Sequence, residues 1–158
     1  NTAHSEGDMV SFVTEDFTDK DVWKQADKEA VVFALVEEAG SLKGTESKKF
    51  VKRGRELIAD TDRCGSCHPY RENETELGYA PDLNGWASTE WVVGIITDPT
   101  HQRCYPETTD RMPRFGVASE GGLPALTREQ IELISRWLRG SWYRPKGNDK
   151  AERAVDHT

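Results

Sequence analysis

Three residues with reactive side chains lie close together in the run Cys-Gly-Ser-Cys-His, at Cys64, Cys67 and His68. C-x-x-C-H is the attachment signature of a c-type haem. Two thiols at this spacing can add across the two vinyl groups on one edge of a porphyrin, which forms two thioether bonds. The imidazole that follows directly is then held beneath the ring and can bind the iron as its proximal axial ligand. The motif therefore predicts one covalently attached haem c.

The same motif has other interpretations, because histidine also follows a C-x-x-C pair by chance. The two cysteines are also consistent with a thioredoxin-like redox pair, with a disulfide, or with half of a zinc site. His101 and Cys104 lie downstream, and with Cys64 and Cys67 they would complete a zinc site of three thiolates and one imidazole. The chain would then be a zinc-stapled interaction module. If the motif carries haem instead, Cys104 remains as a free thiol.

Composition limits the class of protein. The length of 158 residues favours one domain with room for an extra element. The net charge of −7 argues against nucleic acid as a partner, because a phosphate backbone requires a basic footprint. An acidic surface instead suits a partner with a basic docking face. We expect no membrane span in this chain, although docking to a membrane complex stays open. The chain starts at Asn1 without a signal peptide or an initiator methionine, so we expect it to be processed or excised from a longer one.

The first predicted helix lies in the N-terminal part of the chain. We expect it from Asp19 to about Glu38, with Thr18 as its N-cap and Gly40 as its stop. Its apolar residues recur at helical spacing: Trp23, Ala26, Ala30, Phe33 and Ala34. We interpret this stripe as a face packed on the main core. The alternatives are the remnant of a preceding domain and a contact helix for a partner subunit.

Two further helices flank the cysteine motif. A linker over residues 40–46 leads to a second helix, which carries Gly54 and ends near Asp60. Glycine in mid-helix costs about 1 kcal/mol against alanine, so we expect another helix to approach closely there. A third helix begins after its cap, Ser88, and ends at Asp98, because the proline that follows disfavours a helical residue before it.

A long loop over residues 100–126 separates the third helix from a fourth. The fourth helix begins at a capping box, Thr127-x-x-Gln130, and closes at Gly140. Its predicted apolar face consists of Ile131, Ile134, Trp137 and Leu138, with Leu133 at one margin. No stretch of the chain predicts a strand, so the expected fold class is all-α.

The order of these features resembles the class I c-type cytochromes. The shared features are a helix with Gly54-x-x-Leu57, the C-x-x-C-H motif, a Pro-x-Leu-x-Gly loop at Pro81, a middle helix, a Met-Pro pair at Met112, and a last helix with Trp137. The resemblance implies an all-α fold, with a cytochrome c-like three-helix core around a covalent haem and an additional N-terminal helix. It divides the chain into an acidic leader with the extra helix (1–46), a cytochrome c domain (47–143) and a polar C-terminal tail (144–158).

The resemblance also implies a helix crossing. In this family the first and last helices of the domain cross at right angles, with a small residue against an aromatic one. We therefore expect Gly54 to pack against Trp137 or Leu138. The candidates to wall the haem are Tyr79, Trp86, Trp91, Phe115 and Trp137.

Two further site residues follow from the resemblance. The family's loop proline corresponds to Pro81, beside the proximal imidazole, where a carbonyl accepts the ring N–H of His68. The family's distal ligand, a methionine in a loop before the last helix, corresponds to Met112. His101 and Cys104 are its competitors for the sixth position, and either would lower the reduction potential relative to methionine.

The resemblance implies the function of a monohaem electron carrier rather than an enzyme. Residues 91–99 and 110–113 look like the cytochrome c domains associated with bacterial bc-type quinol-oxidising complexes. The expected donor is such a complex or a dehydrogenase, and the expected acceptor is another cytochrome or an oxidase. The resemblance further implies a periplasmic or otherwise exported location. The alternative is a haem protein that binds gas or peroxide because its sixth ligand is labile or missing.

Overall fold

The computed structural model describes residues 7–44, 48–73, 75–76, 80–105, 112–119 and 121–141. Regular structure in these ranges is entirely helical, which confirms the all-α prediction for them. The helices are α1 (Asp8–Ser11, continued by a π-helical turn over Phe12–Asp16), α2 (Gln25–Glu38), α3 (Lys48–Ala59), α4 (Thr89–Thr97) and α5 (Arg128–Leu138). Cys64–Ser66 form one 3₁₀ turn between α3 and α4. Tyr79 and the predicted tail lie outside the described ranges.

The start of α2 differs from the sequence prediction. The helix begins at Gln25 rather than Asp19, and its N-cap, Lys24, makes no side-chain capping bond. The Thr18 hydroxyl donates instead to the carbonyl of Thr14, at 2.7 Å. Residues 19–24 form a turn because aromatic packing outweighs helix propensity there. The Trp23 ring is 1% exposed, and its centroid lies 4.9 Å from that of Phe17. The end of α2 is as expected, with Gly40 at φ +68°.

Gly54 packs against α2, not against α5. A Cβ atom at position 54 would lie 1.9 Å from the carbonyl oxygen of Ala30 and 2.8 Å from Cβ of Ala34. The expected contact with Trp137 or Leu138 is therefore wrong, and these two side chains are 60% and 58% exposed. The reason is that α2 offers two fully buried alanines, which let the backbone of α3 approach, and this helix lies outside the stretch that the resemblance covers.

Helices α2 and α3 form one apolar cluster with the segments that follow the cysteine motif. Its buried members are Trp23, Ala30, Val31, Ala34, Leu57, Ile58, Tyr70 and Leu83. Cys64 is partly buried at the margin of this cluster. The interpretation of the predicted stripe as a face packed on the core is confirmed for Ala30 and Ala34 in α2 and for Trp23 before it, whereas Ala26 is exposed. The apolar burial provides the main free energy that fixes the end of α3 and the motif that follows it.

Helices α4 and α5 form a second apolar cluster around Val93, Ile96 and Ile131. The start of α4 is as predicted, since the Ser88 hydroxyl accepts from the backbone N–H of Trp91 at 3.1 Å. Both bonds of the predicted capping box at the start of α5 are present. None of the helices in the described part of the chain has the length and apolar character of a membrane span.

One arginine after α5 joins the end of α2 to the loop before α4. The guanidinium of Arg139, directly after α5, donates to the carbonyl of Ala39 at 2.6 Å and also to the carbonyl of Ala87. Ala39 directly follows α2, and Ala87 lies in the turn before α4. The residue that follows α5 is therefore bonded both to the end of α2 and to the loop that contains Pro81.

Candidate haem-attachment site

The cysteine motif curls into a single turn against the end of α3. A Cβ atom at Gly65 would lie 2.5 Å from the carbonyl oxygen of Ala59, so only glycine fits this approach. The backbone N–H groups of Cys67 and His68 both donate to the Cys64 carbonyl, at 3.2 and 2.9 Å. Both cysteines and the histidine are partly exposed. The turn thus presents two thiols and one imidazole from five consecutive residues.

The ring of His68 is oriented by a backbone carbonyl. Its Nδ1 lies 2.8 Å from the carbonyl oxygen of Pro81, which is the hydrogen bond that the resemblance implies. A carbonyl oxygen can only accept, so Nδ1 carries the proton in this bond. In the neutral ring, Nε2 then bears a free lone pair. This is the arrangement in which metal-binding histidines in proteins are held.

The backbone on either side of the imidazole is also held. The amide of Asn73 donates to the carbonyl of His68 at 2.9 Å, and its oxygen accepts from the backbone N–H of Tyr70 at 2.9 Å. The N–H of Leu83 donates to the Pro69 carbonyl at 3.0 Å, which joins the motif to the Pro81 loop. Sequence reasoning missed Asn73, although an asparagine that bonds to its own local backbone is a common turn signal.

A buried carboxylate fixes the loop on the Pro81 side. Asp82 is 5% exposed and accepts from Nε of Arg103 at 2.6 Å and from the N–H of Asn84 at 2.8 Å. Its backbone carbonyl accepts from the Trp91 indole at 3.1 Å. The loop is therefore bonded to α4 and to the segment after it. Sequence reasoning did not single out Asp82, since its partner Arg103 is distant along the chain.

Glu38, the last residue of α2, connects this site to the N-terminal helix. Its carboxylate accepts from the Tyr70 hydroxyl at 2.8 Å, from Arg71 at 2.5 Å and from the N–H of Gly85 at 2.9 Å. Burial by itself raises the pKa of Glu38, but these three donors outweigh it and hold the pKa below its ordinary value. No local pattern predicts this role, because the donors lie 32 to 47 residues away in the chain.

The structure does not assemble the zinc site considered above. The described residues, which include all three cysteines and His101, contain no group of three or more side chains placed to hold a metal ion. The cysteines are free thiols, so Cys64 and Cys67 are not bonded to each other. Cys104 is 6% exposed, and burial raises the pKa of its thiol, which disfavours the thiolate that zinc requires.

Met112 lies in a loop that docks on the end of α4. Arg114 pairs with Asp98 at 3.0 Å, and the N–H of Gly116 donates to the Thr97 carbonyl at 3.0 Å. The Met112 side chain keeps 36% of its surface exposed. The loop is thus anchored on its C-terminal side, while residues 106–111 lie outside the described ranges.

The aromatic residues that we expected to wall the haem differ in their surroundings and in their exposure. The rings of Trp86 and Trp91 lie next to each other, with centroids 6.2 Å apart, and Trp86 is 37% exposed. Phe115 packs at the margin of the second apolar cluster. Trp137 is largely exposed. Tyr79 lies outside the described residues.

The donor set fits a c-type haem. One turn provides two partly exposed thiols, and the imidazole that follows already donates from Nδ1, which leaves Nε2 for a metal. Comparison of the chain with protein-family models, with curated proteins and with solved structures found no match. The function is therefore inferred from the site itself.

Proposed function

We propose that the chain is a monohaem c-type cytochrome that transfers single electrons between respiratory redox partners. The observation that carries this proposal is the 2.8 Å contact between Nδ1 of His68 and the Pro81 carbonyl, next to the turn of Cys64 and Cys67. A thioredoxin-like pair has no need of an oriented imidazole, whereas a metal-ligating histidine does. The zinc alternative would need further donors, which the described residues do not bring together.

Each residue has a defined task in this proposal. Cys64 and Cys67 form the two thioether bonds, and Nε2 of His68 is the proximal ligand. The Pro81 carbonyl holds the ring and increases the electron density of the imidazole through Nδ1. Met112 is the sixth ligand, which leaves no open position for substrate and makes the chain a carrier rather than an enzyme. The bound haem supplies the one-electron ferric–ferrous couple.

The proposed partners follow from charge and from the family resemblance. A net charge of −7 supports transient docking on a basic face, and such docking weakens as salt screens it. The proposed donor is a quinol-oxidising complex or a dehydrogenase, and the proposed acceptor is another cytochrome or an oxidase. A periplasmic or otherwise exported location is part of the same proposal, since haem attachment in that family is completed outside the cytoplasm.

One observation favours a second candidate function. Met112 lies in a loop and keeps 36% of its surface exposed, and in this alternative the sixth ligand is displaced easily or missing. The chain would then be a haem protein that binds nitric oxide, carbon monoxide or peroxide. Carbon monoxide separates the two functions, because a stable methionine ligand prevents it from changing the spectrum of the reduced protein.

The first experiment is expression with a c-type haem maturation system, followed by mass spectrometry of the denatured chain and optical spectra. The proposal expects the mass of one haem to remain on the denatured chain, a sharp α band on reduction, and a weak near-infrared sulfur-to-iron band on oxidation. Cys67→Ser is expected to lose one thioether bond, whereas the control Cys104→Ser keeps both. A denatured wild-type chain without haem mass overturns the proposal.

A further inference from the structure

Glu38 belongs to the part of the chain that the family resemblance does not cover, yet it contacts both segments around the candidate site. Two of its donors, Tyr70 and Arg71, lie two and three residues after His68, and the third, Gly85, lies in the Pro81 loop. Its side chain is only 12% exposed. The carboxylate therefore joins the segment of the imidazole to the segment of the carbonyl that orients it.

We infer that Glu38 is a positioning residue for the proximal imidazole. By holding the two segments at one carboxylate, it fixes the distance between Nδ1 of His68 and the Pro81 carbonyl oxygen. This inference rests on the proposed function for the identity of the metal group, but the hydrogen bond it concerns is present in the chain itself. Neither Glu38 nor its three donors touches the iron in this proposal.

The backbone of these segments explains why they need to be held. Arg71 has φ +52° and Ala87 has φ +57°, in the left-handed region that costs free energy for residues other than glycine. The Arg71 N–H donates to the Asn84 side chain at 2.9 Å, and the guanidinium of Arg71 binds Glu38. These conformations persist because surrounding bonds over-determine them.

The backbone at the end of α2 adds a further bond between α2 and the residues around the candidate site. The carbonyl of Ala39, next to Glu38, accepts from Arg139, whose guanidinium also binds the Ala87 carbonyl. One helix end therefore bonds to the motif segment, to the Pro81 loop and to the residue that follows α5. In this account α2 is an integral part of the site.

The test is the rate at which the His68 Nδ1 proton exchanges with solvent. NMR measures this rate in the reduced, haem-loaded protein. Glu38→Ala is expected to speed this exchange at least about tenfold, because the buried Tyr70 hydroxyl and the other two donors lose their acceptor and the loops open more often. Glu38→Gln, which keeps one acceptor oxygen, is expected to give a smaller increase. Glu37→Ala is the matched control, since Glu37 precedes Glu38 and pairs with Arg55 instead.

The outcomes separate the inference from the proposed function. Equal exchange in Glu38→Ala and Glu37→Ala overturns the inference and leaves the haem assignment intact. If Glu38→Ala does not fold, Glu38→Gln against the Glu37 control decides in the same way. If the wild-type chain attaches no haem, the proposed function fails. The inference is then tested on the haem-free chain by the ¹⁵N spectrum of the His68 ring, where Glu38→Ala is expected to lose the preference for the proton on Nδ1, and an unchanged preference overturns it.

Discussion

Gly54 and Ala30 mark a close approach of two helices: a Cβ atom on Gly54 of α3 would lie 1.9 Å from the carbonyl oxygen of Ala30 in α2. The neighbour is backbone, so it cannot rotate away as a side chain does. The residue at position 54 therefore decides whether α2 can pack against α3. Because α2 ends at Glu38, this contact also determines where the Glu38 carboxylate lies relative to the motif.

Gly54→Ala is expected to lower the free energy of unfolding by about 2 kcal/mol, because overpacking outweighs the better helix propensity of alanine. Gly94→Ala is the control. Gly94 also lies within a helix, but apart from its chain neighbours and its own helix backbone no described atom lies within 4 Å of the position of its Cβ. We expect Gly94→Ala to be neutral or to stabilise by up to about 1 kcal/mol. Urea unfolding measures both variants, and equal effects would show that the close approach is unimportant.

The pH dependence of stability is expected to contain a contribution from Glu38. The pKa of this carboxyl is lowered in the folded chain from an ordinary value of 4.5, so its contribution is complete above that value. This contribution to stability is lost as the pH falls through the pKa that Glu38 has in the folded chain. Urea midpoints between about pH 6 and pH 3 are therefore expected to fall less steeply in Glu38→Gln than in the wild type. Urea midpoints that fall equally steeply with pH in the variant and in the wild type would contradict this expectation.

Asp82→Ala is expected to destabilise the chain by about 2 kcal/mol, because it removes a buried carboxylate that accepts from Arg103 and from the Asn84 N–H. The control is Glu132→Ala. Glu132 pairs with Arg128, which is 75% exposed, on the surface of α5, and such a pair contributes no more than about 0.5 kcal/mol. Similar losses in the two variants would mean that Asp82 does not hold the Pro81 loop.

Met112→Ala tests the proposed sixth ligand in the haem-loaded chain. We expect the variant to lose the sulfur-to-iron band of the oxidised protein and to gain carbon monoxide binding when reduced, because the Met112 sulfur is the proposed sixth ligand of the iron. Met9→Ala is the control, since the chain has two methionines and Met9 is 57% exposed in α1. A band that survives Met112→Ala would contradict the assignment of Met112 as the sixth ligand. A haem-loaded wild type without the band would transfer the sixth position to another residue, with His101 and Cys104 as the first candidates.

Local signals in the sequence predicted most of the helices and their ends. Ser88 caps α4, and the box of Thr127 and Gln130 starts α5, because these bonds form between residues three positions apart. The start of α2 was wrong by six residues, since the turn before it is held by the packing of Trp23 on Phe17 rather than by a cap. A cap is a local interaction, whereas such packing is visible only in three dimensions.

The sequence by itself determined the reactive set, because Cys64, Cys67 and His68 are adjacent in the chain and their chemistry depends on that spacing. It also predicted the acceptor at Pro81, through a family resemblance. Only the tertiary structure decided which residues hold this set in place. The donors to Glu38 lie 32 to 47 residues away, and Asp82 binds Arg103, 21 residues away. The partner of Gly54 proved to be α2 rather than α5. The physical reason is that a buried polar side chain must find its partners in space, and no local periodicity records where they are.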